Sequence, residues 1–255
     1  VSRTREALKK AEAEAKINGQ FQFTANGNGR SKRMRDGRDS VLEYERIAAW
    51  LTNEAIQGKR IQTVMLVAPC SGTGNTTTAA LLAETLASVK NRRVLIIDSN
   101  FRTPALNAIY HVRNEGGFIE VASNGVPFEA HIQPTNHQNL FVLTSGQISV
   151  GPSEIFHGDA IDQLLIKLKS KFDIIIFDAA PVVDFPDSFA LAAKVDSIIL
   201  VIQSEMTSIE QAQQAKHYLE RAGGHIIGVV MNRQRDYTPP LLKKFLAPHS
   251  RSAAF

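Results

Sequence analysis

The sequence is poor in the residues that build small secreted or metal-centred proteins. It has one cysteine, Cys70, in 255 residues. A single thiol excludes an internal disulfide and fits a reducing cytoplasm. The seven histidines show no metal-ligand spacing, so no zinc-type site is expected. No apolar run approaches the ~18 residues of a membrane-spanning helix. The N-terminus lacks the apolar core of a signal peptide. Aromatic residues do not interleave with the basic stretch near the N-terminus, and no nucleic-acid motif accompanies it, so nucleic-acid binding is not expected. There is no internal repeat.

What is present describes a folded α/β body with a charged arm. The hydrophobic fraction of 44% is that of an ordinary globular protein, and the length allows one large domain. The net charge of +4 is unevenly placed. Residues 1–40 carry ten Lys/Arg against five Asp/Glu, and the remainder is near neutral. The excess includes Arg30, Lys32, Arg33, Arg35 and Arg38. Such a run is either a solvated linker or a segment that seeks an anionic membrane surface. Ser2–Ile17 reads as a helix with a thin Ala/Leu stripe, too weak to be stable alone. Asn18–Asp39, rich in Gly, Asn, Arg and Ser, reads as a linker. The expected organisation is an N-terminal helix and linker over 1–39, one domain over 40–237 and a C-terminal helix and tail over 238–255.

Within the domain, apolar runs of strand length alternate with helical patterns. Strands are expected at Thr63–Ala68, Val94–Asp98, Leu140–Leu143, Phe172–Asp178, Ser197–Gln203 and Ile226–Asn232. Helices are expected at Val41–Ile56, Thr76–Val89, Ser153–Leu168, Asp187–Ala193, Ser208–Ala222 and Pro240–Leu246. Strands apolar throughout and separated by helices predict an α/β fold with a mostly parallel sheet covered by helices on both faces. In such sheets functional side chains gather at the carboxyl ends of the strands. Trp50 on the first domain helix is read as packing, and Asp184 and Asp187 as either contact residues or helix-start acids.

The first strand end is the most informative. VMLVAPCSGTGNTTT, Val64 to Thr78, has the outline of a phosphate-binding loop, with Gly72, Thr73, Gly74, Thr76 and Thr77 in place. Glycines let backbone N–H groups approach phosphates, a lysine neutralises the terminal ones, and a hydroxyl holds magnesium. The lysine slot is Asn75, an amide that donates a hydrogen bond but carries no charge. Cys70 lies in this loop as a small neighbour, since no base accompanies it. Two further strand ends bring aspartates, Asp98 in VLIIDSNFRTP and Asp178 in FDIIIFDAAP. A carboxylate closing a buried strand suits magnesium, which keeps its waters.

These motifs, with GVVMNRQ at 228–234, resemble the bacterial tyrosine kinases, the autokinases that accompany exopolysaccharide co-polymerases within the deviant-Walker P-loop group. The resemblance runs from about Ser40 to Tyr237. It implies that Thr76 holds Mg²⁺, that Asp98 orients or activates the attacking group and contributes to the metal site, and that Asp178 reaches the metal through water. It further implies that Asn232 reads the adenine edge and that Arg102 is a basic residue beside the phosphates. ATP or ADP with Mg²⁺ is the implied cofactor. The implied partner is a membrane co-polymerase of the chain-length-determinant type, with the protein cytoplasmic and peripheral to the inner membrane.

The departures from the family pattern are as informative. Asn75 replaces the loop lysine and Asn100 replaces a second Walker aspartate. The helix motif Glu-x-x-Arg-x-x-Arg, which builds a ring of subunits in the family, is matched by Glu43 and Arg46 but ends in Ala49. The tail holds only Tyr237 where the family clusters acceptor tyrosines. Phosphoryl transfer depends on positioning and charge stabilisation, and loss of one charged donor costs roughly 3 kcal/mol of barrier. The expectation is therefore a pseudokinase with weak or lost nucleotide binding and weak self-association, at most a small oligomer. The competing expectations are an active autokinase using Tyr237 or Tyr44, and a partitioning-type positioning ATPase, which would carry an additional early loop lysine absent from Pro69–Ser71.

Overall fold

The computed structural model describes residues 21–25, 37–53, 58, 60–124, 126–147 and 159–233. The helix expected over 2–17, the C-terminal helix and Tyr237 lie outside the described residues. Among the described residues, eight strands form one sheet in the order β1-β8-β7-β2-β6-β3-β5-β4. The strands are β1 (Phe21–Ala25), β2 (Thr63–Val67), β3 (Val94–Ser99), β4 (Gln133–Pro134), β5 (Leu140–Leu143), β6 (Ile174–Ala179), β7 (Ser197–Gln203) and β8 (Ile226–Asn232). All neighbours run parallel except the short β4–β5 pair. The expected mostly parallel P-loop-type sheet is therefore present.

The helices are α1 (Gly37–Leu51), α2 (Asn75–Val89), α3 (Leu106–Tyr110), α4 (Phe118–Asn124), α5 (Asp159–Lys171), α6 (Asp187–Ala192) and α7 (Ile209–Arg221). Side chains of a strand alternate between faces. Accordingly Val64 and Leu66 of β2 pack under α1 and α2 with Ile47, Leu82 and Leu86. Met65 and Val67 point the other way, into a core made with Phe118 of α4, Leu168 of α5 and Leu219 of α7. All five residues of β2 are buried, which explains why its sequence shows no polar alternation. Trp50 packs against the first of these cores, as its reading proposed.

Two differences from the sequence reading have physical causes. The composition of 18–39 predicts a linker, yet Phe21–Ala25 forms β1, parallel to β8 from Phe21↔Gly228 to Ala25↔Asn232. The segment FQFTA does alternate aromatic and polar residues, but it is only one short strand long inside a Gly- and Asn-rich stretch. Helices α3 and α4, with five and seven residues, are too short to show a helical period. Among the described residues no helix is long and apolar enough to cross a membrane.

Candidate functional site

The site lies at the carboxyl ends of β2, β3, β6 and β8, around the loop that joins β2 to α2. Two left-handed glycines shape this loop, Gly72 at φ 83° and Gly74 at φ 86°. Gly74 is also sterically fixed, since a Cβ there would come within 2.3 Å of the Asn232 amide nitrogen. α2 starts directly after Gly74 with no side-chain cap and no acid in its first turn. Its first N–H groups, with the positive end of the helix dipole, therefore make an anion-binding end. They face a cleft of about 230 Å³ whose walls include Cys70, Gly72 to Thr77, Asn100, Thr103, Pro181 and Arg233.

Asn75 does not reach outward as a phosphate-binding lysine would. Its Nδ2 points inward, donating to Asp178 Oδ1 at 2.8 Å, Leu66 O at 3.0 Å and Ala179 O at 3.3 Å. An NH₂ group has two hydrogens for these three acceptors. The amide thus bridges β2, β6 and α2. Its own Oδ1 is buried without a hydrogen-bond partner, and so is Asp178 Oδ2.

Asp98 and Asp178 sit side by side on β3 and β6 in register. Both oxygens of Asp98 are occupied. Oδ1 accepts from Asn100 N at 3.2 Å, and Oδ2 from Ala105 N at 2.9 Å and Leu106 N at 3.0 Å. The carboxylate therefore holds the 98–106 turn and the start of α3. Burial pushes Asp98 up, opposed by those three backbone N–H groups. Burial and the nearby Asp98 charge push Asp178 up more strongly, against the favourable contacts of Thr76 and Asn75. Two buried carboxylates side by side disfavour carrying both charges at once, so the pair titrates together, and the three N–H donors favour charge on Asp98.

The other expected site residues fall as follows. Asn100 is buried in the same turn, donating from Nδ2 to Thr103 Oγ1 at 3.0 Å and accepting from Thr103 N. Arg102 is exposed and lies over the Phe185 ring at 5.4 Å, outside the cleft wall. Asn232 is buried; its Nδ2 donates to Thr73 O at 2.8 Å and its Oδ1 accepts from Arg233 N at 2.8 Å. Its amide thus pins the end of β8 to the phosphate loop. Cys70 is half-buried, and burial together with the Asp184 carboxylate pushes its thiol up, away from nucleophilic thiolate character. Tyr44 is 3% exposed and faces Thr78, so it cannot meet a phosphate in the cleft, and that acceptor assignment does not hold. Sequence reasoning missed Arg233, which lines the cleft. Its signal was a cation directly after Asn232 at a strand end.

Among the described residues no group of three His, Cys, Asp or Glu could hold a metal ion. The magnesium set is nevertheless met in part. The orphaned Oδ2 of buried Asp178, beside Thr76, is an acceptor suited to a cation or its bound water. Asp98 spends three acceptor positions on backbone amides, two at Oδ2 and one at Oδ1, so Oδ1 keeps one lone pair for a cation or its bound water.

Comparison with known proteins follows the same outline. The family described as "AAA domain" matches residues 62–226. The tyrosine-protein kinase YwqD of Bacillus subtilis is 32% identical over 177 residues, 69% of this chain and 74% of that one. The chain belongs to the bacterial tyrosine-protein kinase family. The putative tyrosine-protein kinase CapB of Staphylococcus aureus is 28% identical, covering 68% of this chain and 75% of its own. Among solved structures, the kinase domain of Escherichia coli tyrosine kinase ETK aligns with a TM-score of 0.77 at 22% identity, covering 88% of this chain and 95% of that one. The septum site-determining protein MinD of Pyrococcus horikoshii, solved with Mg-ADP, aligns at 0.58 and 22% identity over 72% of this chain and 76% of its own. These two structural likenesses speak to the fold.

Proposed function

We propose that this family member is a pseudokinase: a cytoplasmic protein, peripheral to the inner membrane, that binds nucleotide weakly and regulates a membrane polysaccharide co-polymerase of the chain-length-determinant type. The observation that carries the reading is the inward Asn75. At the position where a lysine would neutralise the terminal phosphates, the side chain is a neutral amide committed to Asp178, Leu66 and Ala179. The loop glycines and the start of α2 still offer N–H groups to phosphate oxygens, so binding survives better than catalysis. Bound magnesium, held through Thr76 and Asp178, would supply charge neutralisation at the phosphates.

The attacking side of the reaction is also weak. Asp98 already holds three backbone N–H groups, which leaves it one lone pair, on Oδ1, to orient a hydroxyl. Tyr44 and Tyr110 are buried, and Tyr218 packs edge-on against Phe189 while its hydroxyl accepts from Gln214. Beside its bonds to Thr73 and Arg233, the Asn232 amide keeps one N–H and one lone pair for an adenine edge. Docking on the co-polymerase, a role for the basic N-terminal residues at an anionic membrane, and weak self-association belong to the same proposal. An autophosphorylation assay with MgATP tests it: no phosphotyrosine is expected, and robust incorporation on Tyr237 would overturn it in favour of an active autokinase.

A further inference from the structure

A nucleotide's phosphates bring several negative charges into the cleft, and the helix end offers only about half a unit charge in return. Magnesium would offset part of that charge, and without a loop lysine the rest must come from another side chain. Arg233 is the only Lys or Arg among the described residues that line the cleft. It is held there by specific contacts. Its backbone is left-handed at φ 53°, a conformation uncommon outside glycine. Its N–H donates to Asn232 Oδ1 at 2.8 Å, and the same Asn232 donates to the phosphate-loop carbonyl of Thr73 at 2.8 Å. One buried amide therefore fixes Arg233 relative to the loop. The guanidinium donates once, from Nη1 to Gln203 Oε1 at 3.2 Å, and a guanidinium has five N–H donors. It is exposed just after the carboxyl end of β8, and among the described residues it forms no ion pair.

Resting on the nucleotide-binding reading above, we infer that Arg233 at the end of β8 supplies the phosphate-neutralising charge that the loop lost at Asn75. The ligand class is a nucleoside di- or triphosphate, bound through a guanidinium fork instead of an ammonium. Arginine suits this position because its planar fork pairs with two phosphate oxygens at once. Asn75 is then left to clasp Asp178. The arrangement separates binding from catalysis: the cation comes from the end of β8, beside the loop, and not from the lysine position that follows the transferring group.

The test is calorimetric titration of the full chain with ADP, inorganic pyrophosphate and adenosine at two salt concentrations. Arg233→Gln should weaken ADP and pyrophosphate binding about tenfold or more, flatten the salt dependence, and leave adenosine binding and the melting temperature unchanged. Arg233→Lys should keep part of the affinity, and Asn75→Lys placed on Arg233→Gln should restore it. If wild-type protein binds ADP and Arg233→Gln binds it equally, the inference fails while the nucleotide reading stands. If Arg233→Gln loses adenosine and ADP in the same proportion with an unchanged salt slope, Arg233 holds the nucleoside and the charge assignment is overturned. If the wild type binds none of the three probes, the nucleotide reading itself falls, and the inference with it.

Discussion

Two neighbouring strand ends bury the same residue in register and treat it in opposite ways. At the end of β3, Asp98 is surrounded by backbone: three amide N–H groups from the following eight residues converge on its two oxygens. At the end of β6, Asp178 is surrounded by side chains, with Asn75 on one oxygen and no hydrogen-bond partner on the other. The first is a structural charge, solvated by the chain itself. The second has one buried oxygen free for a cation or its bound water. Backbone amides are obligatory donors that must be paired when buried, so β3 commits its aspartate to folding. The partners at β6 are exchangeable side chains, so that aspartate stays open to chemistry.

The contrast predicts different costs on substitution. Asp98→Ala should be the most damaging, because it leaves three backbone N–H groups unsatisfied and removes the cap of α3. A loss of about 3 kcal/mol is expected, read by urea denaturation. A variant as stable as the wild type would show that water replaces the carboxylate readily, and the contrast would collapse.

Asp178→Asn should act the other way. A carboxyl whose folded pKa is raised keeps its proton after the unfolded chain has lost it. Stability from this group is therefore complete below the ordinary carboxylate range and is lost as pH rises toward the folded value. The burial and Asp98 charge that push Asp178 up thus predict a wild type that weakens from mildly acid to mildly alkaline pH. Asn cannot ionise, so the variant should melt several degrees higher than the wild type at pH 8 and much closer to it at pH 5. Equal differences at both pH values would mean that Asp178 does not titrate in this window.

How much of this was open to sequence reasoning depended on range. The strands β2, β5, β7 and β8 follow from apolar runs closed by polar residues, and the phosphate loop from its glycines, because these signals are local. The inward turn of Asn75 was not legible, since its acceptor Asp178 is 103 positions away. The clamp of Asn232 on Thr73 spans 159, and Arg233 gains meaning only through it. Asp98 takes a catalytic and metal role from the family resemblance, and the structure adds a second, structural one. Its capture by Ala105 and Leu106 depended on a five-residue helix with no periodic signature. β1 escaped for the opposite reason: its partner β8 was evident, but a five-residue strand in polar surroundings gave too little pattern.

Smaller effects sharpen the comparison further. Asn75→Lys introduces a cation beside Asp178, and ADP affinity should rise about tenfold in calorimetry, with a shift in the pH dependence of melting as Asp178 gains a charged partner. Unchanged affinity would mean that the new ammonium also turns inward. On α1, Glu43 and Arg46 pair with each other at 3.1 Å while Ala49 is exposed. An exposed pair of this kind is worth little, so light scattering should show a monomer or small oligomer. A stable large ring that needs Glu43 and Arg46 would contradict this.

The most direct measurement follows phosphotyrosine and bound nucleotide in the same sample of full-length protein incubated with MgATP. The account predicts detectable nucleotide on the protein with no phosphotyrosine above background, because the loop amide is committed to Asp178 and the Asp98 carboxylate to the backbone. Phosphotyrosine that accumulates with time and disappears in Asp178→Asn would contradict it.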